Sequence, residues 1–248
     1  MPMLLSRVIA SSQLGSVACG LLLSGLAFAQ EEQSPLLQGE QLLLSGAYAA
    51  ASDVFLRAQG VDREEGVVGA SRAFAALGNL DEAQRICEQA LARSSAADLP
   101  LIATQLAEIL RGRGQSASAL ALLQQVDAGL EQPPTRSIVE YGSLLQFVGR
   151  RDDARVQLQR ALDRYTDGLV FSSEDTGMVA RASWLLGDFH DANSLFTEAT
   201  RLDPSNLEAQ VLWGELFLEK YNAADAQRSF EDALAVNSRY LPALVGIA

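Results

Sequence analysis

The stretch Leu207–Tyr240, LEAQVLWGELFLEKYNAADAQRSFEDALAVNSRY, decides how this chain folds. Small residues and phenylalanines occupy fixed positions in it: Gly214, Phe217, Ala226, Phe230 and Ala233. The last three are spaced four and three positions apart, so they lie on one face of a helix. Gly214 and Phe217 share a face of the helix before it. We therefore predict two antiparallel helices that approach closely at the small residues, with the two phenylalanines filling the seam between them.

The same pattern recurs upstream. Residues 173–206 repeat the second half of it with Gly187, Ala192, Phe196, Ala199 and Pro204. The corresponding alanines of six units recur at nearly even intervals along the chain, and they are Ala51, Ala83, Ala119, Ala154, Ala192 and Ala226. The small changes in interval fall between units, where loops absorb them. Beyond Ala29 no alternating β-branched run competes, so the predicted fold class is all-α.

This repeat resembles the tetratricopeptide repeat (TPR), a 34-residue helix–turn–helix unit with the same pattern of small and aromatic residues. The resemblance covers residues 32–240. It implies an α-solenoid, a right-handed superhelix of stacked antiparallel helix pairs, whose first helices line a concave groove. The predicted units are 32–63, 64–98, 100–133, 135–168, 173–206 and 207–240, with the start of a seventh at 241–248.

Residues 1–29 have the layout of a secretion signal. Arg7 is the single charge, an apolar run follows, and Ala27-Phe28-Ala29 places small residues at a cleavage site. We predict cleavage after Ala29 and a secreted or periplasmic location for residues 30–248. Two alternatives stay open. An uncleaved membrane anchor is one, because the charge-free span Val8–Ala29 is long enough to cross a bilayer. A lipoprotein modified at Cys19 is the other.

The composition argues against two classes of partner. The formal net charge is −12 at pH 7, whereas nucleic-acid phosphates and anionic lipids both attract a basic surface. We therefore predict no nucleic-acid partner, and membrane contact only if the N-terminal segment stays uncleaved. Beyond the signal Cys87 is the sole cysteine, so an intramolecular disulfide is excluded there. We predict Cys87 to be a buried apolar residue.

Motifs that carry chemistry are absent. The one histidine, His190, falls in the turn inside the fifth unit, where a solvated side chain is expected. Residues 112–117 match Gly-x-Gly-x-x-Ala but follow a predicted helix, whereas a dinucleotide fingerprint follows a strand. A nucleophile elbow and a His-Glu-x-x-His zinc motif are missing. We predict no catalytic, cofactor-binding or metal-binding residues, and that the chain is not an enzyme.

The groove implied by the resemblance is the candidate binding site. One position after Gly39, Gly142 and Gly214, and at the aligned positions elsewhere, stand Glu40, Arg72, Glu108, Ser143, Arg181 and Glu215. Family members that clamp a C-terminal carboxylate use lysine and asparagine at such positions. This chain has neither there, so the resemblance does not imply that clamp. A solvated polar face is the alternative to a contact surface.

Two functions are compatible with these observations. The first is an exported scaffold or adaptor that binds a protein or peptide in the concave groove. The second is the non-catalytic N-terminal array of a larger exported enzyme, for example a hydrolase, with its active site beyond residue 248. Leu241–Ala248 has the pattern of the first helix of a seventh unit, opened by Pro242. An uncovered apolar helix favours association, so we also expect self-association through 241–248.

Overall fold

The computed structural model describes residues 34–248, and the predicted signal peptide with its cleavage site lies outside these residues. Within them the chain forms thirteen α-helices, one short 3-10 helix at Gly60–Asp62 and no strand, as the all-α prediction required. The helices are α1 Pro35–Leu44, α2 Tyr48–Phe55, α3 Arg63–Ala76, α4 Leu80–Leu91, α5 Pro100–Gly112, α6 Ser116–Gly129, α7 Thr135–Phe147, α8 Arg151–Thr166, α9 Ser173–Leu186, α10 Phe189–Leu202, α11 Leu207–Glu219, α12 Ala223–Val236 and α13 Leu241–Ile247.

Consecutive helices pack in pairs, each odd-numbered helix against the even-numbered helix that follows it. In the pair α11–α12 the seam is the predicted one. Ala226, Phe230 and Ala233 are buried, and a Cβ atom added to Gly214 would lie 2.5 Å from the Phe230 ring. No side chain larger than hydrogen fits at Gly214 unless the ring moves. The glycine therefore sets how closely the two helices approach.

The same contact recurs where a glycine stands sixteen positions before a large side chain. A Cβ atom on Gly39 would lie 2.6 Å from the Phe55 ring, and one on Gly142 would lie 2.8 Å from Leu158. Phe55 and Leu158 are each 1% exposed. Burial of such a side chain contributes about 1.5–3 kcal/mol, so the repeated pair of small and large residues stabilises each helix pair.

The turn inside each pair uses one left-handed residue. Five of the six are glycines with φ between 74° and 93°, namely Gly46, Gly78, Gly114, Gly149 and Gly187. The sixth is Tyr221, with φ 58° and a side chain 98% exposed. A left-handed conformation is unfavourable for a residue with a Cβ atom. Tyr221 is thus the strained member of the series.

Side-chain caps define where several helices begin. The carboxamide oxygen of Asn79 accepts a hydrogen bond from the backbone N–H of Glu82 at 3.2 Å, and Asn206 does the same for Ala209 at 3.0 Å. Such caps satisfy donors that have no partner within the helix. One cap comes from the neighbouring pair, because Glu64 accepts from the N–H of Leu101 at 2.7 Å. This bond ties the second pair to the third.

First helices of adjacent pairs also contact one another along the array, and the array curves until its two ends meet. Asn237 donates from Nδ2 to Tyr48 Oη at 3.0 Å and to the Leu43 carbonyl at 3.2 Å. Arg239 donates from Nη1 to the Gly46 carbonyl at 3.1 Å and lies over the Tyr48 ring. We call Gly46, Tyr48, Asn237 and Arg239 the closure contact. It joins the first helix pair to the sixth, so the array is closed on itself.

Helix α13 follows the closure contact and leans on the sixth pair. Ala243 is fully buried, and a Cβ atom on Gly246 would lie 2.5 Å from the Phe230 ring. Its other side presents apolar side chains to solvent, because Leu241 and Val245 are 62% and 65% exposed. Both the helix and its exposed strip were predicted. Across residues 34–248, no helix combines the length and the apolar character that crossing a membrane requires.

Candidate binding site on the inner face

The inner face is the side of the first helices that is turned toward the centre of the closed array. All six residues predicted for the groove lie on these helices, one on each of α1, α3, α5, α7, α9 and α11. Four of them take part in a network of charged side chains: Arg72, Glu108, Ser143 and Arg181. The structure therefore brings most of the predicted residues together, although it does so through partners that the prediction did not include.

Arg136 on α7 is the centre of this network. Its guanidinium contacts Glu108 at 3.2 Å and Glu174 at 2.9 Å, and its Nη1 donates to Glu208 Oε1 at 3.1 Å. The side chain is 12% exposed. Guanidinium donors form a planar fork that serves several carboxylates at once, so a single arginine holds together helices from the third, fourth, fifth and sixth pairs.

Arg181 on α9 forms a second centre. It forms an ion pair with Glu140, which is 3% exposed, and donates to Ser143 Oγ at 3.2 Å. Arg111 reaches the other oxygen of Glu140 at 3.7 Å. A buried carboxylate requires compensation by charge and hydrogen bonds, and Glu140 receives both. Ser143, the uncharged member of the predicted set, is thus a hydrogen-bond acceptor for Arg181.

An ion pair also crosses the inner face. Arg72 on α3 contacts Glu174 on α9 at 3.3 Å, although the two residues are 102 positions apart in the chain. The second helix pair and the fifth therefore face each other across the centre of the array. This pair, like the closure contact, exists only because the array is strongly curved.

The two remaining predicted residues, Glu40 and Glu215, form no salt bridge within residues 34–248. Loss of solvation raises the pKa of Glu40, opposed by Arg72 and reinforced by Glu174. Loss of solvation also raises the pKa of Glu215, and Arg181 opposes this. Both residues are exposed to solvent. Each would be stabilised in its ionised form by an added positive charge.

The network shifts the pKa values of its own carboxyl groups in opposite directions. Burial raises the pKa of Glu108 to about 7, and the opposing charge of Arg136 does not cancel this effect. Burial acts on Glu208 in the same direction, but Arg136 outweighs it and lowers the pKa of Glu208 to about 2. Burial also opposes ionisation of Glu174, whereas Arg136 and Arg72 keep its pKa below the usual value. The negative charge of the network is therefore concentrated near Glu174 and Glu208.

A cavity of about 490 Å³ opens between the first helices on the inner face. Its lining includes Glu40 and Arg72 of the predicted set, together with Arg136 and Glu174. Gln105 and Thr135 line it as well and are 6% and 2% exposed. The carboxamide oxygen of Gln105 and the hydroxyl of Thr135 have no hydrogen-bond partner in the described part of the chain. Buried polar atoms without partners are rare in proteins.

Arg136, Glu174 and Glu208 were not among the residues predicted from the sequence. Each is the second residue of a first helix, and the three follow one another at intervals of one repeat unit. A search for charged residues at the start of each first helix, rather than near its middle, would have found them. Acidic side chains in the first turn of a helix are also favoured by the helix dipole. The positions of Glu174 and Glu208 in the sequence therefore did not show whether they only stabilise their helices or also belong to a binding site.

Other residues considered from the sequence lie away from this network. His190 is exposed in the first turn of α10. Cys87 is fully buried and unpaired, as predicted, and burial raises the pKa of its thiol to about 11. Within residues 34–248, no group of three or more histidine, cysteine, aspartate or glutamate side chains is arranged to hold a metal ion.

Comparison with known proteins identifies the fold. A chain of the APC/C hetero-tetramer Cut9–Hcn1 superposes with a TM-score of 0.51 and 17% identity, over 86% of this chain and 41% of that one. A thermophilic TPR protein of Thermus thermophilus gives a TM-score of 0.51 and 24% identity, over 75% of this chain and 98% of that one. Human IFIT1, in its dimer with PPP-AAAA, superposes with a TM-score of 0.52 and 18% identity, over 81% of this chain and 49% of that one.

No family model and no curated protein matches the sequence. The structural neighbours are TPR proteins, so the chain has the fold of a TPR array, as the repeat pattern predicted. It spans less than half of the length of the Cut9–Hcn1 chain and of the IFIT1 chain.

Proposed function

We propose that this TPR-fold chain is an exported scaffold that binds a segment of a protein partner on its inner face. The observation that carries the proposal is the pair Glu40 and Glu215. Both are inner-face carboxylates without a salt bridge in residues 34–248, at the two ends of a network in which the other charged groups are paired. Both residues are exposed, so their charges are available to a partner, whereas the charged groups of the network already bind one another.

The partner class follows from shape and charge. The inner face is concave and polar, and it is built on rigid helices, which suits an extended peptide segment. Nucleic acid is the less suitable ligand, because the net charge is −12 and the inner face has more carboxylates than guanidinium groups. The solved TPR-fold neighbours support the fold that presents this face; the choice of partner rests on the residues of this chain.

Site-specific crosslinking tests the proposal. A photo-crosslinking amino acid replaces Glu215 on the inner face in one variant and Glu88, exposed on the second helix α4, in the matched control. Irradiation of the producing cells is followed by mass analysis of the adducts. We expect the Glu215 position to crosslink to a partner protein, and the Glu88 position to lack that adduct. Partner adducts from Glu88 alone would show that the outer surface binds instead.

Export is a separate part of the proposal. It rests on Arg7, the apolar run and Ala27-Phe28-Ala29, which together favour cleavage by a signal peptidase. N-terminal sequencing of the protein from the envelope or medium should give a chain that begins at Gln30. An intact Met1 in the membrane fraction would replace cleavage with anchoring, and protein confined to the cytoplasm would refute export.

A further inference from the structure

We infer that the cavity on the inner face receives a positively charged side chain of the partner, an arginine or a lysine. The inference rests on the proposed function and adds the chemistry of the bound group. The cavity is about 490 Å³, within the size range of pockets that enclose small ligands. It lies between the first helices of several pairs, so a side chain entering it would contact the array at its centre.

The charges that line the cavity are unbalanced once internal pairs are removed. Arg72 and Arg136 are held by Glu174, and Arg136 also by Glu108 and Glu208. The lining carboxylates without a salt bridge in residues 34–248 are Glu40, Glu65 and Asp175. One guanidinium in the lining, that of Arg164, likewise has no salt bridge in this part of the chain. Three free carboxylates against one free guanidinium favour a cation.

Arginine is the better of the two candidate groups. Its guanidinium is more weakly hydrated than an ammonium, so desolvation in a cavity opposes its binding less. Its planar fork has five N–H donors, so it can bond to more than one of the lining carboxylates. Arg164 opposes any cation in the cavity. The three carboxylates outweigh this one like charge.

Peptide binding to the full chain provides the test. The probes are three fluorescent hexapeptides in which alanine alternates with arginine, with citrulline or with glutamate; citrulline has nearly the shape of arginine but no charge. Fluorescence anisotropy measures their affinities. We expect the arginine peptide to bind at least about tenfold more tightly than the citrulline peptide, because charge-assisted hydrogen bonds are roughly twice as strong as neutral ones. The glutamate peptide should bind most weakly.

Two variants separate a binding role from a structural one. Glu40→Gln should weaken the arginine peptide by at least about threefold, whereas Glu88→Gln on the outer helix α4 should leave its affinity unchanged. Glu65→Gln should also weaken the binding of the arginine peptide while leaving the thermal stability of the free protein unchanged, because Glu65 lines the cavity and is exposed. A residue needed only for folding would show the opposite combination.

Several results of these experiments would overturn the inference. Equal affinity for the arginine and citrulline peptides, or preference for the glutamate peptide, would overturn the inference, and the latter would mean that Arg164 governs the cavity. An unchanged affinity in Glu40→Gln would also overturn it. If the peptides fail to bind while the Glu215 crosslink to a partner persists, the scaffold proposal stands and only the cation-binding inference falls.

Discussion

The closure contact can be tested by comparing two glycines in equivalent turns, only one of which lies at this contact. Gly46 and Gly78 occupy equivalent turns, with φ 74° and 77°. A Cβ atom on Gly46 would lie 2.9 Å from the carboxamide oxygen of Asn237 and 3.3 Å from the Arg239 side chain. A Cβ atom on Gly78 would meet nothing within 4 Å. Gly46→Ala therefore perturbs both the turn and the closure contact, while Gly78→Ala perturbs the turn alone.

The magnitudes follow from these geometries. An alanine in the left-handed region lowers the free energy of unfolding by about 1–2 kcal/mol. The smaller flexibility of alanine in the unfolded chain raises it by about 0.4–1 kcal/mol. Both variants share that net cost. Gly46→Ala must also displace Asn237 and Arg239, which removes at least two hydrogen bonds of the closure contact, each worth about 0.5–1.5 kcal/mol. We therefore expect Gly46→Ala to be less stable than Gly78→Ala by about 1–3 kcal/mol.

Two measurements check this expectation. Urea unfolding of both variants gives the difference in the free energy of unfolding. Small-angle X-ray scattering gives the radius of gyration, which should increase for Gly46→Ala because the ends of the array separate, and stay at the wild-type value for Gly78→Ala. Equal destabilisation of the two variants, with equal radii, would show that the ends of the array do not hold each other in solution.

Four further predictions concern other parts of the molecule. Tyr221→Gly should stabilise the protein by about 0.5–1 kcal/mol in thermal unfolding, because it relieves the left-handed strain; a lower stability would mean that the tyrosine makes compensating contacts. Ala226→Glu should cost several kcal/mol, since it places a charge in the seam. Asp232→Ala, at an exposed position of the same helix, should cost under about 0.5 kcal/mol. Similar melting temperatures of the two variants would refute the seam. Burial raises the pKa of Glu108 to about 7 from an ordinary value of 4.5, so its contribution to stability is complete below 4.5 and is lost as the pH rises through 7. Urea unfolding should therefore show a smaller decline across this interval for Glu108→Gln, and parallel declines would contradict the assignment. Val245→Glu should abolish the self-association that we expect through residues 241–248. Sedimentation of the same species by the variant and the wild-type protein would contradict this expectation.

The helix pairs could be predicted because each seam is determined by local spacing. Gly214, Ala226 and Phe230 lie close together in the chain, and their separation on the helix faces leaves one way to pack them. The resemblance to the TPR pattern then supplied the stacking of one pair on the next. The left-handed turn residues follow from the same repeat, since a glycine or its equivalent ends each first helix.

The closed array could not be predicted in this way. Tyr48 and Asn237 are 189 positions apart, and their contact depends on the rotation accumulated over five intervening stacking steps. A small rotation at each step decides whether the ends meet, and that rotation depends on side-chain volumes at every interface. For the same reason the Arg72–Glu174 pair was not anticipated. Of the site, the prediction located the helices and six positions, but it did not identify Arg136 or its acidic partners.

The charges are concentrated on the inner face, whereas the helix seams and the closure contact depend on them less. The helix pairs are held by apolar seams, and no carboxylate takes part in the closure contact of Gly46, Tyr48, Asn237 and Arg239. The buried ion pairs of the inner face are weak evidence for stability, because apolar residues of similar volume often stabilise as well or better. Salt screens charges that solvent reaches, including that of Arg239, whereas it affects the buried hydrogen bond between Asn237 and Tyr48 less. Raising the ionic strength should therefore release a basic ligand from the inner face while the ends of the array stay joined, so that the free and bound states share one closed architecture.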